Sequence, residues 1–365
     1  GGIKDKTPTT FAYSIDPTDL SQWSYVGTLA DVGRNCKAQP YGVDLGQNWE
    51  VANFFTIADK ASGSGSTCSS EYLLINVEGC IAPGPARAPV YMKLDLEATQ
   101  IDDGEIRLQP AHVGLLDHGC LYAASSFHDD KHDRRLMWGW ITEDDLPEDY
   151  YNTQGWAGLI SLPRELFHHP TSSELGIRPA EEVLLLRQGA EQICFRVDDT
   201  MPAAAAVELA EAAEGEVVEL AAVPVTAVAS RSYEVEMELS ATRPGLVVAH
   251  SEDMATRTLV YLSASGHLVV DRSLSAGKHS VIGKEIKVNT GTLRAPLSAT
   301  ASGTHKLRLF MDNSVLEIFV DDLVALSTRV YPDAEDVGLS VLARPGAGAA
   351  GEVRIWQGLD RAIVA

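Results

Sequence analysis

Short runs of alternating or wholly apolar character recur along the chain, broken by Gly, Pro, Asp and Asn. Tyr72 to Val77, Leu136 to Ile141, Leu246 to Ala249, Leu259 to Leu262 and His267 to Val270 are such runs. Apolar residues at helical spacing are scarce. Strand-length runs bounded by turn formers predict an all-β protein built as a sandwich, barrel or propeller. The clearest hairpin signal spans Lys306 to Val330. Leu307, Leu309 and Met311 alternate with polar neighbours, Asp312-Asn313 supplies a turn, and Leu316, Ile318 and Val320 resume the alternation. Asp321-Asp322 then turns the chain into another strand, Leu323 to Val330. Ala203 to Ala229 is biased to Ala, Glu and Val and reads as poorly patterned strands and loops rather than as a helix.

Composition divides the chain of 365 residues in two. The first part, to about residue 170, holds Trp23, Trp49, Trp138, Trp140 and Trp156, with only Trp356 beyond it. It also holds Cys36, Cys68, Cys80 and Cys120, whereas Cys194 stands alone beyond it. From about residue 195 the sequence is rich in Ala and Val, which suits a simple sandwich. The segment His168 to Gln188 is the expected junction, so the expected domains are 1–175 and 190–365. Ser62 to Ser66 alternates Ser and Gly and reads as a surface loop. The 29 basic residues against 51 acidic ones give a net charge of −22, which opposes nucleic acid and acidic membrane surfaces as partners. No apolar run approaches the ~18–20 residues needed to cross a bilayer. The cysteines form no C-x-x-C pair, and their odd number leaves at least one thiol free. Gly1-Gly2-Ile3 shows no Met, basic stretch or apolar leader, so the expectation is a processed chain or one whose front is missing.

Two motifs suggest chemistry and fail on context. Gly346 to Gly351 matches G-x-G-x-x-G, but a dinucleotide site needs a βαβ unit after it, and only fourteen residues follow. It reads as a Gly/Ala turn. His128-Asp129-Asp130-Lys131-His132-Asp133 is crowded with cations and lacks a Cys or H-E-x-x-H partner, so it reads as a solvated hairpin loop. No metal or cofactor is expected. Glu50 in Asn48-Trp49-Glu50-Val51-Ala52-Asn53 is a different case. A carboxylate between an indole and an apolar strand is partly desolvated and suited to general-acid work, although a solvent-facing Glu beside a chance Trp has the same letters. Glu78, just after the apolar run Tyr72 to Ile75, and Asp117, shortly before Tyr122, stand in similar company. Carboxylates and rings at strand ends suit a sugar, and they also suit ordinary turns.

Together these segments resemble glycoside hydrolase family 32, the β-fructofuranosidases. Asn48-Trp49-Glu50 is similar to the family's Trp-Glu-Cys-Pro acid/base motif, and Asp117-His118-Gly119 with Tyr122-Ala123-Ala124 to its Asp-aromatic-Gly segment. Arg134 to Ile141, Gly155-Trp156-Ala157-Gly158 and Leu162 to Leu166 form the most specific stretch. Thr9 to Ser14 with Asp19-Leu20 and Trp23, Asp271-Arg272-Ser273, Asp312 to Phe319 and Arg329 to Pro332 extend the likeness over most of the chain. The resemblance implies a partial five-bladed β-propeller followed by a C-terminal β-sandwich, acting on sucrose or fructan oligosaccharides by retaining double displacement. It implies Glu50 as acid/base, with Trp49, Asn53, Glu78, Asp117 and Tyr122 around the sugar. Extracellular location is the family habit. The family's Asn-Asp-Pro-Asn-Gly nucleophile segment and its Arg-Asp-Pro motif do not occur, and Val51-Ala52-Asn53 replaces Cys-Pro-Asp, as in fungal-type members. The expectation is a C-terminal portion lacking two or three blades, inactive alone and prone to aggregate at the exposed blade edge. Fructosyl transfer and a non-catalytic carbohydrate-binding or pseudoenzyme product are the alternatives.

Overall fold

The structure is a computed structural model describing every residue except 1, 4–6, 31, 39–41, 59–68, 82–84, 103–104, 149–150, 153–154, 173, 198–204, 212–215, 278–279, 282–283, 286–289, 345–350 and 362–365. The Ser62–Ser66 loop and residues 346–350 of the glycine-rich turn thus lie outside the described residues. The chain forms two units, Gly1–Trp140 with Ile160–Arg178, and Ile141–Leu159 with Pro179–Ala365.

Near its start, after a short ladder of Gly2–Ile3 with Thr7–Pro8, the first unit has a hairpin of β1 (Phe11–Asp16) and β2 (Asp19–Thr28). An antiparallel sheet follows, made of β3 (Asn48–Ala58), β4 (Ser69–Glu78), β5 (Arg87–Asp102) and β6 (Glu105–Leu115), paired in chain order. A second sheet runs β7 (Leu121–Asp129), β8 (Arg134–Ile141), β9 (Arg164–His168) and β10 (Leu175–Pro179), again in chain order. Successive antiparallel meanders of this kind are propeller blades. β4 explains the run Tyr72 to Val77, apolar except for Asn76, because it is covered on both faces. Leu73, Ile75 and Val77 join Trp49, Val90 and Met92 in one cluster. On the opposite face Tyr72 stacks on Phe55 at 5.8 Å, and Leu74 and Asn76 are buried. The β1–β2 hairpin instead shows Tyr13, Trp23 and Tyr25 to solvent, in edge contacts of 6.3 and 5.6 Å.

The second unit is a sandwich. One sheet has six strands, in the order β11 (Glu191–Val197), β23 (Gly351–Gln357), β14 (Ser232–Leu239), β19 (His305–Asp312), β20 (Val315–Val320), β21 (Val324–Arg329). The other has seven, in the order β12 (Ala205–Glu211), β13 (Glu216–Pro224), β22 (Gly338–Ala343), β15 (Gly245–His250), β16 (Arg257–Leu262), β17 (His267–Leu274), β18 (Thr292–Pro296). The alternating side chains Leu307, Leu309, Met311, Leu316, Ile318 and Val320 enter the core between the sheets. Asn313, Asp321 and Asp322 turn this ribbon with left-handed φ values of 50°, 54° and 56°, which Asn and Asp tolerate. Strands β12 and β13 carry the Ala/Glu/Val-biased segment, as expected, outside 203–204 and 212–215.

Residues 141–159 run from the last residue of β8 toward β9 in the chain, yet belong to the second unit. Charge holds them there. Buried Glu143 pairs with buried Arg329, and Asp145 accepts a 2.5 Å bond from Arg272, which also donates to the carbonyl of Arg329. Asp145→Asn, which removes the charge from that bond, is expected to cost about 1.5–3 kcal/mol, read as a lower urea midpoint.

Candidate active site

The site grows from the turn before β3. Asp44 accepts N–H bonds from Gly46 and Ile81 and a side-chain bond from Asn35. Burial pushes its carboxyl up, but these donors outweigh burial and hold it below the usual range. Gly46 has φ +63°, and a Cβ there would stand 2.3 Å from the carbonyl oxygen of Glu78. Glycine is needed at this close approach. The turn thereby sets the start of β3 against the end of β4, with Asn48 opposite Glu78 and Glu50 opposite Asn76.

Strand alternation then sorts the side chains. Trp49, opposite Val77, turns inward, is 1% exposed, and donates its indole N–H to the carbonyl of Leu45 at 2.8 Å. Glu50 turns to the face that meets β7. Val51 follows with φ +46°, unusual for a β-branched residue, and the register shifts between Glu50 and Asn53. This β-bulge places Asn53 opposite Leu74, on the same face as Glu50. Regular alternation would have sent two residues three apart to opposite faces.

Four polar side chains converge there. Asn48 donates to Glu50 Oε1 at 3.1 Å and to Glu78 Oε2 at 3.4 Å. The Tyr122 hydroxyl lies 3.4 Å from Glu50 Oε2 and also bonds Glu78. Burial, and then the negative charges of Glu78 and Glu50, push the Tyr122 phenol well above its ordinary range, so it stays protonated and acts as a donor. The Arg87 guanidinium lies over the Tyr122 ring at 5.2 Å. Asn76, fully buried, ties the two blades together: it donates to the Ala124 carbonyl at 3.0 Å and accepts from the Ala124 N–H at 2.8 Å.

Of the residues expected around a sugar, the structure brings together Glu50, Glu78 and Tyr122, with Asn53 on the same face. Trp49 and Asp117 are placed otherwise. Trp49 is a core side chain, because alternation gives it the face opposite to Glu50. Asp117 is 1% exposed and pairs with buried Arg164 at 2.9 Å, while also accepting the Gly119 N–H at 2.8 Å. Asn48 and Asn76 escaped the sequence reading. Their signal is the polar alternation Asn48/Glu50 and Asn76/Glu78 inside otherwise apolar strands. Within 128–133, Asp129 accepts from His132 and Arg134 at 2.7 and 2.9 Å, and these bonds pull its carboxyl down to about 2. Among the described residues no group of three or more His, Cys, Asp or Glu is arranged to hold a metal.

Next to Asp117, burial pushes the His118 imidazole from 6.5 down to about 4, against the upward pull of the Asp117 carboxylate. The unfolded chain therefore binds a proton below pH 6.5 that the folded chain refuses until about pH 4. Stability should fall across that window by about 1.4 kcal/mol per pH unit. His118→Gln removes this contribution, so urea midpoints at about pH 7 and about pH 5 should draw together.

Two family models match. The glycosyl hydrolases family 32 N-terminal domain covers residues 2–179, and the family 32 C-terminal domain covers residues 205–357. The chain belongs to glycosyl hydrolase family 32. An acid β-fructofuranosidase of Vigna radiata is 26% identical over 78% of this chain and 46% of its own length. A vacuolar acid β-fructofuranosidase of a Rosa hybrid is 29% identical over 61% of this chain and 37% of its own. The chain thus spans about half, or less, of the curated family members it matches. Among solved structures, a fructosyltransferase from A. japonicus superposes with TM-score 0.74 at 19% identity, over 98% of this chain and 65% of its own. Fructan 1-exohydrolase IIa from Cichorium intybus gives TM-score 0.70 at 19% identity, over 97% and 67%. The propeller and sandwich of the family are therefore the fold of this chain.

Proposed function

We propose that this chain carries the acid/base half of a β-fructofuranosidase site, with Glu50 as the acid/base group. The observation that supports the reading is the cluster Asn48, Glu50, Glu78 and Tyr122 where two blades meet, built on the segment that resembles the family's acid/base motif. In its protonated form Glu50 gives its proton to the glycosidic oxygen of sucrose or a fructan as the C–O bond breaks. A nucleophilic carboxylate about 5–5.5 Å away takes the fructosyl group, as retention of configuration requires. Glu50, now ionised, then removes a proton from water, which releases fructose and restores both carboxyls. Tyr122 and Asn48 hold the Glu50 carboxylate by donating to it, and Glu78 and Asn53 face the same space as partners for sugar hydroxyls. Trp49 and Asp117 support this space from the interior.

Within this reading, the nucleophile belongs to a segment of the Asn-Asp-Pro-Asn-Gly type, and the 365 residues alone are expected to be inactive. The acid β-fructofuranosidases named above and a fructan 1-exohydrolase of Hordeum vulgare point to sucrose and fructans as the substrate class. Relatives described as vacuolar or as an insoluble isoenzyme favour a vacuolar or extracellular location. The deciding experiment is product analysis at high sucrose, with these residues joined to a segment bearing the nucleophile. Glucose and fructose in equal amounts support hydrolysis. Glucose with kestose means fructosyl transfer, and binding of sucrose without any product means a non-catalytic carbohydrate-binding protein.

A further inference from the structure

The bulge that aims Glu50 is strained, and a line of hydrogen bonds from another blade ends on it. Val51 sits at φ +46°, a left-handed conformation that a β-branched residue holds only where its surroundings impose it. Its carbonyl accepts from Asn53 Nδ2 at 3.0 Å. Asn53 Oδ1 in turn accepts twice from Ser126 on β7, from the N–H at 2.6 Å and from the hydroxyl at 2.8 Å. The Ser126 hydroxyl accepts from Arg135 Nε on β8 at 3.0 Å. Arg135 is half-buried and lies over the Phe55 ring at 4.0 Å, and Phe55 belongs to the same strand as Glu50.

All donors point one way. Arg135 gives to Ser126, Ser126 gives to Asn53, and Asn53 gives to the bulge. A hydroxyl that accepts from a guanidinium is polarised into a better donor, so each bond strengthens the next. The two donors on Ser126 also settle which way the Asn53 amide faces, leaving its NH₂ for Val51. An aspartate here would turn a carboxylate oxygen toward the Val51 carbonyl, where no hydrogen lies between them. This gives position 53 a physical reason for its amide.

We propose that Arg135, acting through Ser126 and Asn53, is a positioning residue that holds the Val51 bulge and so the direction of Glu50; as a statement about catalysis this rests on the acid/base reading of Glu50. Without the relay the strand is free to return toward regular pairing, and a one-residue slip moves side chains to the opposite face. Arg135 touches no substrate in this account.

The test has two independent readouts. Amide hydrogen exchange on the 365 residues reports the relay itself. In Arg135→Met the Ser126 amide, whose acceptor Asn53 Oδ1 is then no longer steadied through the Ser126 hydroxyl, should exchange about tenfold faster or more, while the Leu309 amide in the sandwich stays unchanged. Turnover, in the same residues joined to a nucleophile-bearing segment, reports the consequence. There Arg135→Met should lower kcat about 10- to 100-fold with KM changed by less than about threefold. Arg135→Lys should recover part of kcat, and Ser126→Ala should reproduce the loss should Arg135→Met fail to fold. An unchanged Ser126 exchange rate in a folded Arg135→Met overturns the relay. Accelerated exchange with unchanged kcat overturns the positioning role. Activity that survives Glu50→Gln instead removes the acid/base reading and leaves the exchange result standing.

Discussion

Glu50→Gln is expected to lower sucrose turnover by about 10²–10⁴-fold, the usual worth of general acid–base catalysis. The substitution keeps the shape of the side chain. Its carbonyl oxygen still accepts from Asn48, which donates to Glu50 at 3.1 Å, so the site should remain assembled. Only the titratable proton is lost. The leaving glucosyl oxygen then departs as an alkoxide, and no group takes the proton of the incoming water. Affinity for sucrose should move little, because an amide still hydrogen-bonds a hydroxyl. The measurement is initial-rate kinetics on the residues joined to a nucleophile-bearing segment. Turnover within a few-fold of the parent would take Glu50 out of its role. On the 365 residues alone neither form should turn over sucrose, and substantial activity there that Glu50→Gln abolishes would show that their own carboxylates suffice.

Where local pattern decides the outcome, the sequence was legible. The alternation from Leu307 to Val320 became β19 and β20 with Leu309 opposite Ile318, and Asp321-Asp322 turned the chain as expected. Tyr72 to Val77 read as a strand and is one, within β4. The neighbourhood of Glu50 was legible as a motif but not as geometry. Reading Trp49 as part of the sugar site ignored period-2 alternation, which sends an indole and the carboxylate beside it to opposite faces of one strand. The bulge was hidden for a different reason: nothing in Val51-Ala52-Asn53 signals a left-handed backbone, since Gly, Asn or Asp would ordinarily mark it. Residues 141–159 give no local sign of the unit they join, because their partners Arg272 and Arg329 lie more than a hundred residues away. Asp117 was misplaced for the same cause. Its partner stands 47 positions on, and no pattern short of the fold connects them.

That pair carries the second large expected effect. Both side chains of the Asp117–Arg164 pair are fully buried, so each charge has exchanged water for the other. Replacing Arg164 by Met keeps length and apolar contact but takes the Arg164 cation from the Asp117 carboxylate, which still accepts the Gly119 N–H. Removing one partner of such a pair typically costs about 3–5 kcal/mol, more than the pair itself contributes, because the surviving charge stays desolvated. The expected result for Arg164→Met is a loss of that size in urea unfolding of the blade. The loss should shrink as pH falls, since an unpaired buried carboxyl is driven toward its neutral form and protonation relieves the penalty. Arg164→Met with Asp117→Leu should recover much of the stability, because two apolar groups of similar volume leave no charge behind. If the double variant is as unstable as the single one, the cost lies in packing rather than in the stranded charge. If Arg164→Met alone costs nothing, Asp117 has a route to water, and its placement as an internal group rather than a sugar ligand is wrong.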